Sequence, residues 1–402
     1  MKLNRVVVLL VVLLSFAVRV RADDESLASI FTNAATARPT VVPRRASILV
    51  IAYHDLGLGD LSCYGQTNFQ TPNLDQLAAE GIRFTDYNAG GDDLSTAQTA
   101  LMAGNTAPFS PGQPTLAARL QELGYHTGFI GEWTLGPQPW TQGFDEFTGF
   151  LNENDARNYY AESIWRYAPG GANDPTHHGF APHNGPETIY ANRGGHQGQF
   201  MPDFFLHAAG NFIRVNQPDF ANHFRPFFLL VNLPAPESAT AGQDDYPVPT
   251  DAPYSGESWP QAAKNRAALL TRLDDGVGRL VEQLKQIGMT NNVAVFLTAA
   301  AAPQPFADTN LNFLTVPGEV RGGKSNERLR VPMLIHWPGH VPAAQVSDQP
   351  CGAPDLAPTA LQIAYGKLGP DFTGKSLLPA VLGARGANTP ALPDRPEHTG
   401  PP

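Results

Sequence analysis

A predicted helix that begins at Ser95 stands where an enzyme of this topology would carry its nucleophile. The helix follows a predicted strand, Arg83 to Tyr87, and a glycine turn, Gly90 to Gly91. After a strand of an α/β sheet, such a helix directs its free N–H groups and positive dipole end into the crevice at the strand ends. A hydroxyl or thiol placed there could attack an ester. The chain has Leu94 at this point, and a leucine side chain can neither attack nor bind a metal.

Two further strand ends carry residues that could take part in chemistry. His54 and Asp55 directly follow the apolar strand Ser47 to Tyr53, and the glycines of the next loop let the backbone turn tightly. The loop Gly131 to Gly136 follows the predicted strand Tyr125 to Ile130. Because α/β folds place their sites at the carboxyl ends of parallel strands, we expect both loops to lie near the helix start. The glycines after Asp55 open no helix, so they form no dinucleotide-binding fingerprint.

The elements that would position these loops alternate between strand and helix along the chain. This alternation predicts an α/β fold with one doubly wound, mostly parallel sheet and helices on both faces. Asn152 to Gly198 has little periodicity and is interpreted as a long loop over the sheet edge. The other predicted strands are Pro226 to Leu233, Asn292 to Thr298 and Arg330 to His336, and the other predicted helices are Thr71 to Gly81, Thr115 to Gly124, Met201 to Val215, Trp259 to Ile287 and Asp355 to Tyr365.

The charge and the N-terminus bear on partners and compartment. A formal net charge of -10 argues against nucleic acid and against an anionic membrane surface. Lys2 and Arg5 precede an apolar run, and Val20 to Ala22 then offers small residues for cleavage. This layout predicts a secretory signal peptide over residues 1–22, hence a secreted or otherwise extracytoplasmic protein. An uncleaved N-terminal anchor is the alternative, and no other segment is long and apolar enough to span a membrane.

The remaining organisation is simple. Residues 23–46 are polar and proline-punctuated and are predicted to be a linker, residues 47–388 one α/β domain, and residues 389–402 a proline-rich tail. Cys63 and Cys351 could form one disulfide, but two unpaired buried thiols are the favoured interpretation.

Several segments together resemble the sulfatase family (arylsulfatase type) of the alkaline-phosphatase-like superfamily. The resemblance runs from about Ser47 to Leu382 and implies the doubly wound fold of that superfamily. The family's smaller C-terminal subdomain is expected to be missing, because the chain ends soon after the segment Ser376 to Pro379. The segments that carry the resemblance are Asp55 to Gly65, Thr71 to Phe84, Gly143 to Phe147, Leu273 to Arg279, Val331 to Gly339 and Asp355 to Thr359.

The resemblance implies hydrolysis of sulfate esters by a formylglycine made from cysteine or serine, together with calcium or magnesium. Such a reaction needs a nucleophile, a cation that polarises sulfate oxygens, and cationic residues that hold the anion. Carried over by position, the nucleophile falls on Leu94 and a nearby arginine on Gln98. A leucine cannot be oxidised to a formyl group, so we expect no formylglycine.

The metal ligands implied by the family are largely replaced. Its two adjacent aspartates fall on His54 and Asp55, and a later Asp-Asn pair falls on Ala300 and Ala301. Only Asp55 is retained, whereas calcium prefers six or more oxygen ligands. We therefore expect no cofactor. Asp92 and Asp93 are close in sequence and could serve as relocated ligands, but solvated turn residues are the favoured interpretation.

The sulfate-binding residues are also changed. The family lysine and histidine of the loop after the third predicted strand fall on Glu132 and Thr134, and another family histidine falls on Ala235. Lys324 is retained. A sulfate would lose a metal and two cations and would meet a carboxylate, and each lost charge-assisted hydrogen bond is worth roughly 1.5–3 kcal/mol.

Three functional hypotheses follow. The leading one is an inactive or strongly impaired sulfatase-like protein that binds a sulfated glycan or a protein partner. The second is an active arylsulfatase-like, phosphatase or esterase enzyme with Ser95 as nucleophile, His54 as base and Lys324 as anion ligand, although an N-cap role for Ser95 is favoured. The third is the product of a decaying gene. Simultaneous loss of nucleophile, metal ligands and anion-binding residues favours the first over the second.

Overall fold

The computed structural model describes residues 45–383, apart from residues 111, 171–181, 235–239, 241, 302, 318, 320–329, 367, 369 and 370. The predicted signal peptide, residues 23–44 of the predicted linker and the proline-rich tail lie outside the described residues. So do two predicted site residues, Ala235 and Lys324. No helix among the residues described is long and apolar enough to cross a membrane.

A single ten-stranded sheet organises the fold, and a separate pair of short strands lies beside it. The ten strands are ordered β11-β2-β10-β9-β1-β8-β4-β5-β6-β7. The strands are β1 (Ser47–Tyr53), β2 (Ile82–Phe84), β3 (Tyr87–Asn88), β4 (His126–Glu132), β5 (Glu146–Phe150), β6 (Ser163–Ala168), β7 (His183–Thr188), β8 (Phe227–Leu233), β9 (Val293–Ala299), β10 (Met333–His336), β11 (Gln345–Ser347) and β12 (Cys351–Gly352).

The centre of the sheet is parallel and deeply buried. β1 pairs in parallel with β8 and β9, and β8 pairs in parallel with β4. Every residue of these four strands is buried. Strands buried on both faces lose the polar-apolar alternation and become continuous apolar runs, which explains the sequences of β1, β8 and β9. The predicted α/β fold with a mostly parallel sheet is therefore confirmed.

Helices connect the strands at the predicted places. The helices are α1 (Pro72–Ala79), α2 (Leu94–Ala103), α3 (Leu116–Glu122), α4 (Glu153–Ala156), α5 (Met201–Val215), α6 (Gln261–Gln286), α7 (Leu356–Ile363) and α8 (Leu378–Val381). The long helix α6 turns Leu269, Leu273 and Val277 into the core, as its apolar spacing indicates. The helix α5 has the bounds that its sequence predicts.

Two predictions about elements need correction. The stretch Asn152 to Gly198 is not an irregular loop, because it contains α4 and the antiparallel strands β6 and β7. Exposed residues alternate with less exposed ones along β7, and Gly and Pro occupy its middle, so its propensity for strand is weak. The predicted strand Arg83 to Tyr87 is divided into β2 and β3, which belong to different sheets.

The two cysteines are unpaired, so the predicted absence of a disulfide is confirmed, whereas the predicted full burial of both thiols is wrong. Both Cys63 and Cys351 are free and only half-buried. Burial is the main cause that raises the pKa of each thiol, in both cases to about 12.

Candidate functional site

The carboxyl ends of the central strands meet at one edge of the sheet, where most of the described predicted site residues lie. Tyr53 is in register with Leu233 and with Ala299, so the residues after these strands are neighbours. The backbone N–H of His54 donates to Leu233 O at 2.9 Å, and that of Ala300 donates to Tyr53 O at 2.7 Å. The register of the sheet, rather than a local motif, brings these positions together.

Leu94 lies in a small apolar cluster at this edge. It packs with Ala52 of β1 and with Ala300, and all three side chains are at most 3% exposed. The positions to which the family resemblance assigns the nucleophile and one metal ligand are therefore in direct proximity. Both positions carry hydrocarbon side chains, and the packing of these side chains excludes water from the contact between them.

The start of α2 corrects the predicted role of Ser95. The N-cap is Asp93, whose side chain accepts from the Thr96 backbone N–H at 2.8 Å. Ser95 lies within the first turn, is exposed, and donates its hydroxyl to Thr134 O at 3.4 Å. The prediction that Ser95 caps the helix was wrong because the chain enters the helix two residues earlier, where an aspartate caps as well as a serine. Asp93 is thus a structural cap.

Gln98 connects α2 to the end of β4. Its amide donates to Glu132 O at 3.0 Å, and its carbonyl oxygen accepts from the Thr134 backbone N–H at 2.9 Å. The Thr134 hydroxyl contacts the same oxygen at 3.2 Å. Three predicted site residues therefore belong to one partly buried hydrogen-bond network. In this chain the network serves to fix the loop after β4 against the helix.

Glu132 has a fully buried side chain to which none of the described residues donates a hydrogen bond. It is 0% exposed, and within the described part of the chain neither carboxylate oxygen accepts a hydrogen bond. His54 is an ionisable neighbour, and its Nδ1 lies 3.5 Å from Oε2, an ion-pair contact that is too long for a good hydrogen bond. Burying a carboxylate in this way is costly unless a positive charge compensates it.

Glycine at position 131 permits the close approach that orients Glu132. Gly131 has a φ of 112°, and a Cβ on it would lie 1.8 Å from the Asn232 carbonyl oxygen. The Asn232 side chain in turn donates to Glu132 O at 2.7 Å. Any side chain at position 131 would force β4 and β8 apart and displace the loop.

Asp55 belongs to a second buried cluster of charged side chains. The residues next to Asp55 in the sequence do not predict this cluster. Asp55 has a left-handed backbone with a φ of 60°, and its Oδ1 accepts from the Gln304 backbone N–H. Its Oδ2 lies 3.7 Å from Nη1 of Arg266. Arg266 is on α6, is fully buried and also binds Asp60, with Nη2 2.8 Å from Asp60 Oδ2.

Sequence reasoning missed Arg266, although a signal was present. Position 266 lies three and seven residues before the inward-facing Leu269 and Leu273, so it falls on the apolar stripe of α6. Arginine is almost never fully buried without a partner. An arginine on a largely apolar stripe therefore predicts a buried acidic partner. The aspartates of the loop after β1 could have been proposed for that role.

The residues at this edge do not fit the divalent cation that the family resemblance implies. Asp55 already faces a guanidinium and an N–H group, His54 faces Glu132, and Ala300 and Ala301 offer no side-chain donors. Among the described residues, no three His, Cys, Asp or Glu side chains converge as metal ligands do. A hard cation needs about six oxygen ligands. The absence of a cofactor stays a prediction, and so do the family roles of Ala235 and Lys324.

This architecture is that of the alkaline-phosphatase-like fold, and the family to which the chain belongs can now be stated. The sulfatase family model matches residues 46–367, and the chain belongs to the sulfatase family. N-acetylgalactosamine-6-sulfatase of Sus scrofa is 29% identical over 388 residues, which cover 86% of this chain and 68% of that protein. Arylsulfatase A of Homo sapiens is 29% identical over 379 residues, covering 87% of this chain and 70% of that protein.

Solved structures agree on the fold. The crystal structure of Ps i-CgsB in complex with k-i-k-neocarrahexaose has a TM-score of 0.65 and 25% identity, covering 84% of this chain and 76% of that one. An alkaline phosphatase superfamily protein from Vibrio parahaemolyticus has a TM-score of 0.54 and 20% identity over 83% of this chain and 70% of that one. The predicted sulfatase resemblance and the alkaline-phosphatase-like fold are confirmed.

Proposed function

We propose that this protein keeps the sulfatase scaffold but does not hydrolyse sulfate esters, and that it acts by binding. Its ligand would be a sulfated glycan or an extracytoplasmic protein. One observation carries the proposal: Leu94, Ala52 and Ala300 form a dry apolar cluster where a sulfatase would hold its nucleophile and part of its metal site. A reaction that needs a nucleophile and a polarising cation at one point has neither there.

The charge at this edge supports the same proposal. Glu132 is a buried carboxylate in the position to which the resemblance assigns a lysine, and Thr134 replaces a histidine. A sulfate group beside Glu132 would meet a like charge in a region of low dielectric constant, where repulsion is much stronger than in water. We therefore expect a sulfated ligand to bind through residues around the crevice and not with a sulfate group inside it. The co-crystallised oligosaccharide of Ps i-CgsB makes a glycan the first class to test.

One observation favours a second candidate, a working hydrolase. Ser95 is exposed in the first turn of α2 and does not serve as the cap, so its hydroxyl is available at the positive end of a helix dipole. This candidate would use His54 as base and Lys324 as anion ligand. It is weakened by geometry, because the hydroxyl of Ser95 donates to Thr134 O and the ring of His54 faces Glu132.

One assay discriminates between the two candidates. Purified protein is incubated with 4-nitrophenyl sulfate, phosphate and acetate, with calcium or magnesium present, and release of nitrophenol is followed. The binding proposal expects no release above the rate of a heat-denatured sample. The hydrolase candidate expects release that Ser95→Ala and Lys324→Ala abolish and that Ser110→Ala, a change at an exposed serine, leaves intact. Sulfate release that Asp55→Asn abolishes would overturn the binding proposal.

Binding and export need their own tests. Calorimetric titration with a sulfated oligosaccharide, and with its desulfated form as a control, measures whether the sulfate groups contribute to affinity. Equal affinity for both forms contradicts recognition of a sulfated glycan. Export rests on the predicted signal peptide of residues 1–22, and N-terminal sequencing of protein collected outside the cytoplasm would place the cleavage site. A mature protein that retains Lys2 would instead support the anchor.

A further inference from the structure

We propose that the guanidinium of Arg266 takes the place of the divalent cation with which sulfatases operate, so that this chain holds its buried carboxylates without a metal. The inference goes beyond the proposed function. It concerns what neutralises Asp55 and Asp60, and it holds whether the crevice binds a glycan or a protein.

The first observation is the contact between Arg266 and Asp60. Nε and Nη2 of Arg266 lie 3.1 and 3.0 Å from Asp60 Oδ1, and Nη2 lies 2.8 Å from Oδ2. Both side chains are at most 1% exposed. The planar fork of arginine matches a carboxylate in this way, whereas an ammonium would act only as a point charge. The pair joins α6 firmly to the loop after β1.

The second observation places the same guanidinium beside the one retained ligand of the family's metal site. Nη1 lies 3.7 Å from Asp55 Oδ2, and Nη2 lies 3.4 Å from Asp55 O. The carboxylate that would bind the metal thus faces a fixed cation on one oxygen and the Gln304 N–H on the other. A divalent ion that approached Asp55 would have to displace the guanidinium or tolerate its repulsion.

The third observation is the surroundings of the guanidinium. Its central carbon lies 5.1 Å from the ring centroids of both Tyr246 and Phe306, within the range of cation–π attraction. Burial by itself would lower the pKa of Arg266, but the negative charges of Asp60 and Asp55 outweigh it and hold that pKa above its usual value. The guanidinium is therefore a permanent positive charge. Unlike a metal ion, it cannot be removed by dilution or by a chelator.

The test compares thermal unfolding of the full chain in calcium, in magnesium and in excess EDTA. A site that bound either ion tightly would raise the melting temperature as the ion is added, since only the folded state would bind it. We expect the wild-type melting temperature to be the same under the three conditions. A calcium-dependent rise in the wild type overturns the proposal.

The variant Arg266→Ser removes the guanidinium and leaves Asp55 and Asp60 without it. We expect its melting temperature to fall by roughly 5–15 °C, the range that loss of one partner of a buried ion pair gives for a large domain. We also expect calcium to raise it, because the two carboxylates then lose the positive charge of the guanidinium. The matched control is Arg272→Ser on the same helix, whose arginine pairs with Asp203 in a more exposed position. A calcium response absent from Arg266→Ser, or a loss no larger than that of the control, overturns the proposal.

A second variant keeps the test decisive if Arg266→Ser does not fold. Arg266→Lys retains the positive charge but not the bidentate geometry. It is expected to fold, to melt between the wild type and any folded Ser variant, and to show no calcium response. Stabilisation of Arg266→Lys by calcium would show that a side-chain cation does not substitute for the metal, and would refute the inference.

Discussion

Two buried carboxylates at the same edge of the sheet have opposite surroundings. Asp60 accepts hydrogen bonds from the Arg266 guanidinium and from the Gly57 backbone N–H at 2.7 Å. Glu132 accepts none at its carboxylate oxygens from the residues described, and His54 lies 3.5 Å away. The difference separates two roles. Asp60 contributes to the stability of the fold, whereas Glu132 is a buried acidic side chain at a position to which the family resemblance assigns a sulfate-binding lysine.

The largest effect is expected on the Asp60 side. Asp60→Asn leaves the Arg266 guanidinium buried without its main counter-charge, which costs about 3–5 kcal/mol of unfolding free energy. Urea unfolding followed by circular dichroism measures the loss. The control is Asp203→Asn, whose partner Arg272 is partly exposed, and it should cost about 1 kcal/mol or less. Equal losses in the two variants would show that burial of the Asp60 pair adds nothing.

Leu94 tests whether the apolar cluster at this edge of the sheet is closely packed. Leu94→Ala removes apolar contacts with Ala52 and Ala300 and should cost about 2–3 kcal/mol in the same urea experiment. Leu94→Met conserves the volume and should cost less than about 1.5 kcal/mol. If both variants are as stable as the wild type, the cluster is not close-packed and water has access to it.

The effect expected at Glu132 is smaller than that at Asp60. Glu132→Gln replaces a buried acidic side chain to which no described residue donates a hydrogen bond, so the unfolding free energy should fall by no more than about 1 kcal/mol and should otherwise rise. The unfolding free energy of this variant is to be compared with that of Asp60→Asn, because both changes replace a carboxyl group by an amide at the same edge of the sheet. A loss as large as that of Asp60→Asn would mean that the His54 contact stabilises Glu132 as strongly as a guanidinium does.

The smallest effect is expected at His336 and Glu80, a second pair of a histidine and a glutamate. This pair can be compared with His54 and Glu132. His336 Nε2 lies 3.1 Å from Glu80 Oε2, yet burial lowers the pKa of His336 more than Glu80 raises it. Below about pH 6.5 the unfolded histidine then binds more protons than the folded one, so stability falls as the pH falls through that value. His336→Gln should flatten the pH dependence of the melting temperature between about pH 7 and 5. An unchanged slope would refute this account.

The sequence predicted most of the strands and helices of the fold. It predicted the positions of the candidate site but not the contacts between their side chains. Continuous apolar runs identified β1, β8 and β9, and helical spacing gave α5 to the residue, because these signals are local. The hairpin of β6 and β7 was missed because β7 has a composition unfavourable for a strand and is held by pairing with β6, which in turn pairs with β5. The family resemblance supplied the site positions, and the sheet register brings several of them together.

The contacts that decide the character of the site were beyond local inference. The hydrogen bond from the Thr134 N–H to Gln98 spans 36 residues, and the contact between Arg266 and Asp60 spans 206. The sequence around Gln98 and around Arg266 does not indicate which residues these side chains contact. Only the apolar stripe of α6 hinted that Arg266 is buried. The N-cap was misplaced because Asp93 and Ser95 both have the side chains that cap helices.

The glutamine that joins α2 to the loop after β4 has a practical consequence for protein engineering. Gln98 uses both ends of its amide on the backbone of that loop, so a longer cationic side chain at position 98 would have to break two hydrogen bonds before it could face an anion. Installing a cysteine at position 94 alone would leave these two hydrogen bonds of Gln98 and the contact between Arg266 and Asp60 in place. A designer who wants to restore sulfatase activity must therefore redesign the helix, the loop and the charge cluster together, since each single step starts from a well-satisfied arrangement.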